Sequence, residues 1–201
     1  LGDVYKRQVL VFLLIIISFP LTLDINSDNP PQIYLSFIWI STLLVTMLGT
    51  ELIFSDDFED GTLEQYAVND QLIEIVFYKI FVHWVLIGIP LAFVAFLFIL
   101  SLNISIQISS IALLCLIISN LIFINFFSLG NALSLKKGSI LGLLITIPFL
   151  IPVLIVLGKM TTSALLGLSL IGHLSLLVGV MILLASFIPF IISFILRTHL
   201  E

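Results

Sequence analysis

Charged side chains are scarce in this sequence. They make up 9% of its 201 residues, whereas about 25% is usual for a soluble domain. Apolar residues make up 61%, and the mean hydropathy is +1.32. A soluble domain of this length leaves many side chains in water and cannot hide so much apolar surface. The composition therefore excludes a soluble enzyme, a nucleic-acid-binding protein and a disordered chain, and it predicts an all-α integral membrane protein.

Cysteine and catalytic motifs are also scarce. The single Cys115 lies in an apolar run, which excludes an internal disulfide and a CxxCH haem attachment. The sequence contains no GxxxxGK[ST] phosphate loop, no HExxH and no GxSxG. The histidines at 83, 173 and 199 are far apart, so no metal site is predicted. We expect a chain that is not an enzyme and has no ATPase site of its own, although missing motifs alone leave a membrane-embedded lipid-modifying enzyme open.

Six apolar runs dominate what is present. Each is continuous and close to the roughly 20 residues that a membrane-spanning helix needs, whereas a barrel strand would alternate over about ten residues. The sequence therefore predicts a bundle of six transmembrane helices in one domain over residues 9–200. The expected spans are residues 9–23, 33–54, 80–100, 108–130, 139–158 and 170–196.

The first eight residues are interpreted separately. The sequence begins without Met, and Asp3–Gln8 is what a common transposase sequencing adaptor encodes. We therefore expect residues 1–8 to be a sequencing-adaptor scar, and we assign them no function.

Basic residues predict the orientation in the membrane. Four of them flank the spans on the side of the loop at residues 55–79, and one lies on the opposite side. Loops rich in Lys and Arg face the cytoplasm, so this loop and both termini are predicted to be cytoplasmic. The four residues are Lys79, Lys136, Lys137 and Arg197, and the fifth is Lys159.

Acidic residues are concentrated next to the second predicted span. Eight of the twelve in the chain lie between residues 51 and 74. Phe54, Phe58 and Leu63 can form an apolar stripe on a short helix with acids on its other faces, and Gly61 permits a bend. An acidic amphipathic helix is poorly suited to an anionic membrane surface. The residues alone leave two interpretations: a docking surface for a protein with a basic groove, or a solvated loop.

Several blocks of the sequence resemble one known family. They are Glu51-x-x-Phe54-x-Asp56-Asp57, Asp60-Gly61-Thr62-Leu63-Glu64-Gln65, His83-Trp84, Gly88-x-Pro90-Leu91, Leu135-Lys136-Lys137-Gly138 and Pro148-x-x-x-Pro152. Together they resemble the CcmB family, the permease subunits of the haem-exporting ABC transporter of cytochrome c maturation. The similarity extends along most of residues 9–200 and is strongest from 51 to 91. The second block alone would indicate only the broader class of ABC-2 type permeases.

The resemblance implies a function and a site. In ABC transporters a membrane subunit presents a cytoplasmic coupling helix to a separate ATPase subunit. The resemblance implies that this subunit couples ATP hydrolysis to haem export or delivery in the bacterial inner membrane. Implied partners are the nucleotide-binding subunit, a second haem-handling membrane protein, a haem chaperone and membrane lipid, but not nucleic acid. Haem is implied as a handled ligand and not as a stably bound cofactor. The implied docking residues are Asp56, Asp57, Asp60, Gly61, Leu63 and Glu64.

Two alternatives to haem export stay open on the sequence alone. One is an ABC-2 type permease that exports a lipid, a polysaccharide or a drug. The other is a membrane scaffold that anchors the ATPase without transport.

Two further features concern residues within the predicted spans. His83 is interpreted either as a transient ligand of haem iron, or as an interfacial anchor beside Trp84 or a residue that forms a helix–helix hydrogen bond. Ser109, Asn120 and Asn131 are spaced by 11 residues, which returns to nearly the same helical angle. Polar side chains in spans usually face the interior of a bundle. We therefore expect this face to serve helix packing, with a substrate path or a subunit interface as alternatives.

Overall fold

The described part of the chain consists of helices joined by short turns and loops. The computed structural model describes residues 2–22, 31–136 and 139–200, and no strand occurs in these ranges. Residue 23, the end of the first predicted span, and residues 137 and 138, the end of the block that begins at Leu135, lie outside the described residues. The helices are α1 (Gly2–Thr22), α2 (Pro31–Gly49), α3 (Ser55–Glu59), α4 (Thr62–Val68), α5 (Leu72–His83), α6 (Ile89–Ser101), α7 (Ile106–Ser134), α8 (Ser139–Leu165) and α9 (Ile171–Leu200).

Five helical stretches within the described residues are long and apolar enough to cross a membrane. They are Pro31–Gly49, Leu72–Ser101, Ile106–Ser134, Leu144–Leu165 and Ile171–Leu200. The all-α membrane class is confirmed. The count of six spans is not, because α1, which covers most of the first predicted span, is not among the five.

The boundaries of two predicted spans differ from the structure. The second span was expected to extend to residue 54, but α2 ends at Gly49 and a turn occupies residues 50–54. The third span was expected to begin at residue 80. Instead, α5 begins at Leu72 and continues through a π-helical segment, Trp84–Gly88, into α6. The predicted loop at 55–79 is therefore shorter, and its second half is part of a spanning stretch.

Proline explains the π-helical segment. Pro90 has no N–H and cannot donate to the carbonyl of Leu86, as an α-helix would require. The preceding residue, Ile89, donates its backbone N–H to the carbonyl of Trp84, five residues back, which is the π pattern. The helix thus continues through the proline with a local widening.

Helix α7 is the central element of the bundle and packs against α2, α6, α8 and α9. Ser109, Asn120 and Asn131 are all fully buried, so the prediction that this face lies inside the bundle is confirmed. The closest approach is to α8, where Gly130 faces Gly142. A Cβ on Gly142 would overlap the carbonyl oxygen of Gly130, and a Cβ on Gly130 would lie 2.5 Å from the carbonyl oxygen of Gly142.

A separate apolar cluster lies at one end of the bundle. Successive spanning helices are antiparallel, so the end of α2, the start of α5 and the ends of α7 and α9 meet there. We call the group of buried apolar residues at this end the end cluster. It supports residues 50–71, which we call the acidic segment. Its members are Ile53, Phe54, Leu63, Leu72, Val76, Ile80, Ile124, Ala132, Ile188, Ile192 and Leu196.

Candidate functional site

The acidic segment folds as two short helices joined by a tight bend. Gly61 separates α3 from α4 with φ +78°, and nothing lies within 4 Å of the position that its Cβ would occupy. A residue with a Cβ would cost about 1–2 kcal/mol in this left-handed conformation. Glycine is therefore required here by the backbone conformation and not by a lack of space.

Asp60 stabilises the same bend. Its Oδ1 accepts a hydrogen bond from the backbone N–H of Thr62 at 2.9 Å. Hydrogen bonds from the hydroxyl and then from the N–H of Thr62 lower the pKa of the Asp60 carboxyl below its ordinary value. The carboxylate form of Asp60 thus fixes the start of α4, and its side chain faces solvent.

The end of α4 is also built into the backbone. Asp70 has φ +55°, and its N–H donates to the carbonyl of Ala67, while the N–H of Gln71 donates to the carbonyl of Tyr66. This pair of bonds is the Schellman ending of a helix. The Asp70 carboxylate in turn accepts from Arg197 of α9 at 2.6 Å. Both partners are exposed, so this ion pair contributes at most about 1 kcal/mol.

The apolar side chains of the segment point into the protein. Phe54 and Leu63 are fully buried in the end cluster, and Phe58 is half-buried against it. The sequence analysis included Leu63 among the residues that contact a partner. In the structure the Leu63 side chain is fully buried and α4 packs against α5 and α9, so Leu63 has no exposed surface to offer. Leu63 instead attaches α4 to the bundle.

The acids of the segment fall into two groups. Asp57 forms an ion pair with Lys79 at 2.5 Å, and the same ammonium donates to the carbonyl oxygen of Ile53 at 2.7 Å and lies 5.8 Å from the centre of the Phe54 ring. Asp57 therefore helps to hold α3 in place. The other carboxylates of α3, α4 and the bend between them are exposed to solvent and form an outward acidic face, namely Asp56, Glu59, Asp60 and Glu64.

Asn131 ties the beginning of the acidic segment to α7. Its Oδ1 accepts from the backbone N–H of Phe54 at 3.1 Å. Its Nδ2 donates to the carbonyl oxygen of Glu51 and to the hydroxyl of Ser55, the latter at 3.1 Å. The sequence analysis placed Asn131 on an interior face but missed this link. The available signal was an amide near the end of a span, close to an irregular segment whose backbone groups are not all bonded within a helix.

Asn120, which lies 11 residues before Asn131 on α7, makes a similar contact with the backbone of another helix. Its Nδ2 donates to the carbonyl oxygen of Gly88 at 2.7 Å, at the end of the π-helical segment. Trp84 lies beside it and donates from Nε1 to the carbonyl oxygen of Ile117 at 3.0 Å. The polar face of α7 thus bonds to two irregular stretches of backbone. Asn131 bonds to the turn that begins the acidic segment, and Asn120 bonds to the π-helical segment of the third span.

His83 lies on the side of a small cleft. Its Nδ1 donates to the carbonyl oxygen of Lys79 at 2.9 Å, one turn back on α5. The cleft has a volume of about 190 Å³ and is also lined by Glu51, Asp56 and Asp57. That volume is below the roughly 300–1,000 Å³ of typical small-molecule pockets, and the described residues contain no group of three side chains suited to a metal ion. A haem-related role for His83 stays a prediction.

Comparison with known proteins identifies relatives over the whole chain. A family model described as "CcmB protein" matches residues 1–199. Heme exporter protein B of Pseudomonas aeruginosa is 32% identical over 188 residues, which cover 92% of this chain and 84% of that protein. Heme exporter protein B of Haemophilus influenzae is 32% identical over 193 residues, which cover 94% and 87% respectively.

A plant protein is similar to the same extent. The putative cytochrome c biogenesis ccmB-like mitochondrial protein of Marchantia polymorpha is 32% identical over 195 residues, covering 94% of this chain and 66% of that protein.

Proposed function

Because the chain belongs to the CcmB protein family, we propose that it is the permease subunit of an ABC transporter that exports or delivers haem for cytochrome c maturation. Two bacterial relatives that match more than nine tenths of this chain carry the name heme exporter protein B. A plant relative is named for cytochrome c biogenesis. The five apolar helical stretches support a multi-pass membrane subunit. The subunit itself is not an enzyme, and the ATPase activity belongs to a separate chain.

The acidic segment is the proposed coupling element, and its geometry carries the proposal. Two short helices project from one end of the bundle, with apolar side chains seated in the end cluster and four carboxylates facing outward. A loop that only faced solvent would not need its apolar side chains to be buried in the bundle. A rigid acidic surface suits a partner with a basic groove, because charge complementarity selects the partner and its orientation. The exposed members of the predicted docking set are Asp56, Asp60 and Glu64, and Glu59 is added here.

The orientation of the chain follows from its basic residues. Lys79, Lys136 and Arg197 lie at the end of the bundle that carries the acidic segment, while Lys159 lies near the opposite end of α8. By the positive-inside rule this distribution supports a cytoplasmic position for the segment, where an ATPase subunit can reach it. We propose a bacterial inner-membrane location with six spans, α1 being the first, and with both termini cytoplasmic.

The wider complex contains components that handle haem. We propose a second haem-handling membrane protein and a haem chaperone as partners, together with the ATPase subunit. Haem is cargo in this proposal and not a resident cofactor. His83 is a candidate for transient contact with it.

Reconstitution tests the proposal directly. The chain and its ATPase partner are placed in lipid vesicles, and transfer of haem to the chaperone is measured with and without ATP. We expect transfer only with ATP. A double Glu59→Lys, Glu64→Lys variant should abolish both co-purification with the ATPase and transfer, because it reverses charge on the outward face while leaving the end cluster intact.

A matched variant controls for the introduced lysines. Gln71→Lys with Glu74→Lys adds two lysines at exposed positions at the start of α5, outside α3 and α4, and should retain co-purification and transfer. Undiminished binding of the ATPase to the Glu59, Glu64 variant would contradict the docking assignment. Transfer that is independent of ATP would favour a scaffold, and ATP-dependent export of another substrate without haem transfer would favour a different ABC-2 type permease.

A further inference from the structure

We infer that Asn131 is a positioning residue that locks the acidic segment to α7, so that displacement of the segment moves the central helix of the bundle. This inference rests on the proposed function, because it assigns a mechanical role within the proposed coupling step. The Asn131 side chain is fully buried and offers no surface to a partner. It acts through the backbone of the segment.

The hydrogen bonds of Asn131 are suited to this role. Oδ1 accepts from the N–H of Phe54, and both Nδ2 contacts reach across to Glu51 and Ser55. The three residues are the turn after α2 and the first residue of α3. The side chain is fully buried. A single amide therefore bonds to both a backbone donor and a backbone acceptor at the start of the acidic segment, and the loss of such bonds costs free energy.

Three other contacts, made by Lys79 and Thr50, restrain the same stretch of chain. Lys79 of α5 donates to the carbonyl oxygen of Ile53 and forms an ion pair with Asp57 of α3. The hydroxyl of Thr50 donates to the carbonyl oxygen of Thr46 at 3.0 Å. The turn is thus held from α2, α5 and α7 together. Asn131 supplies the bridge to α7, on which α2, α6, α8 and α9 pack.

The same face of α7 extends the link into the membrane. Asn120 lies 11 residues before Asn131, or about 16 Å along the helix at 1.5 Å per residue. It bonds to Gly88 in the π-helical segment. A movement of the acidic segment therefore reaches the irregular part of the third span through two amides on one rigid helix. Segments of π-helix are frequent at functional sites.

The chain provides a matched control for Asn131. Asn125 is a fully buried amide on the same helix, but its Nδ2 donates to the carbonyl oxygen of Leu121 in its own helix at 2.8 Å. Asn125→Leu and Asn131→Leu therefore remove the same groups from the same helix. Only the second removes a bond to the acidic segment.

The first measurement tests the link in the isolated chain. Spin labels are placed on exposed positions through Val68→Cys on α4 and Leu133→Cys on α7, with Cys115→Ala to remove the native thiol. Pulsed electron paramagnetic resonance gives the distribution of the distance between the labels. We expect a narrow distribution in the parent and in Asn125→Leu, and a broad one in Asn131→Leu. An unchanged distribution in Asn131→Leu overturns the inference.

The second measurement tests coupling in the reconstituted complex. We expect Asn131→Leu to keep co-purification with the ATPase and its ATP hydrolysis, while haem delivered per ATP falls about tenfold or more, the scale of one or two lost net hydrogen bonds. Asn125→Leu should match the parent. A broad distance distribution with an unchanged ratio of haem to ATP overturns the positioning role. A parent complex that transfers no haem refutes the proposed function, and the distance measurement then still decides whether Asn131 locks the segment.

A milder variant covers the case in which Asn131→Leu does not accumulate. Ser55→Ala removes one of the three contacts and leaves both backbone bonds in place. We expect a smaller broadening and a smaller loss of haem per ATP. No broadening in Ser55→Ala, in the absence of a folded Asn131→Leu protein, overturns the inference.

Discussion

Replacement of Leu63 by alanine tests whether the acidic segment is seated in the protein's own core. Leu63 is the one fully buried residue of α4. It packs in the end cluster with residues of α5 and α9. Its removal should loosen α4 without changing any outward carboxylate. The surface offered to a partner would keep its charges but lose its rigid support.

The magnitude follows from the burial. Leu→Ala at a fully buried site costs about 2–5 kcal/mol, which includes the lost transfer free energy and the cavity. If α4 unfolds locally, the free energy of that local unfolding decreases by this amount. Because each 1.4 kcal/mol is a factor of ten, the open population of α4 should rise by about 30-fold to about 4,000-fold.

Amide hydrogen exchange of the purified chain is the appropriate assay. Peptides that cover residues 62–71 report the helix and its Schellman ending, whose bonds include the N–H of Gln71 to the carbonyl of Tyr66 at 2.9 Å. Their exchange should accelerate within the range given, up to the intrinsic rate of unprotected amides, while peptides from α7 are unaffected. Val68→Ala is the matched control, because Val68 lies on the same helix and is 85% exposed. An exposed substitution changes stability by less than about 0.5 kcal/mol.

One outcome would refute the reasoning. If Leu63→Ala left exchange of α4 unchanged in the isolated chain but abolished co-purification with the ATPase, Leu63 would be a direct contact to the partner. The original sequence interpretation would then be right, and the seating of α4 in the end cluster would be wrong.

Two further predictions concern packing and pH. Gly142→Ala should strongly lower the thermal stability of the purified protein, because the added methyl group overlaps the carbonyl oxygen of Gly130, whereas Gly158→Ala in the same helix meets nothing within 4 Å and should leave the melting temperature nearly unchanged; equal effects would refute the close approach of α7 and α8. The folded-state pKa of Asp60 lies below its unfolded value of 3.8, so its stabilisation of the bend is fully present above that pH and is lost as pH falls through the lower folded pKa. Exchange of the Thr62 amide should therefore accelerate below about pH 3.8 in the parent, after correction for the intrinsic rate, and lose this pH dependence in Asp60→Asn; a dependence that persists in the variant would assign it to another group.

The sequence was sufficient for the membrane class and for the region of interest. Long apolar helices in a chain of this length are stable only when lipid surrounds their side chains. A membrane helix with one polar face turns that face toward the other helices of the bundle. The burial of Asn120 and Asn131 follows from this rule. The block from Asp60 to Gln65 was informative because acids and a glycine interrupt an otherwise apolar chain.

The sequence was insufficient for boundaries and for the roles of single side chains. The start of the third span was misplaced because Leu72 and Val76 look like an isolated amphipathic piece, while in the structure they pack in the end cluster on a helix that continues to Ser101. The ion pair between Asp57 and Lys79 joins residues 22 positions apart, and no local pattern distinguishes Asp57 from its exposed neighbours.

Composition and hydrophobic patterning by themselves determined that this chain is a helical membrane protein and where its acidic segment lies, because both properties depend on local residue content. Only the tertiary structure decided which side of that segment faces outward. Leu63 and Phe54 point inward because apolar side chains of α5, α7 and α9 form the end cluster with them. Asn131 bonds to the segment because α7 ends beside residues 51–55. These facts depend on contacts between parts of the chain that are distant in sequence, and such contacts exist only once the helices have packed.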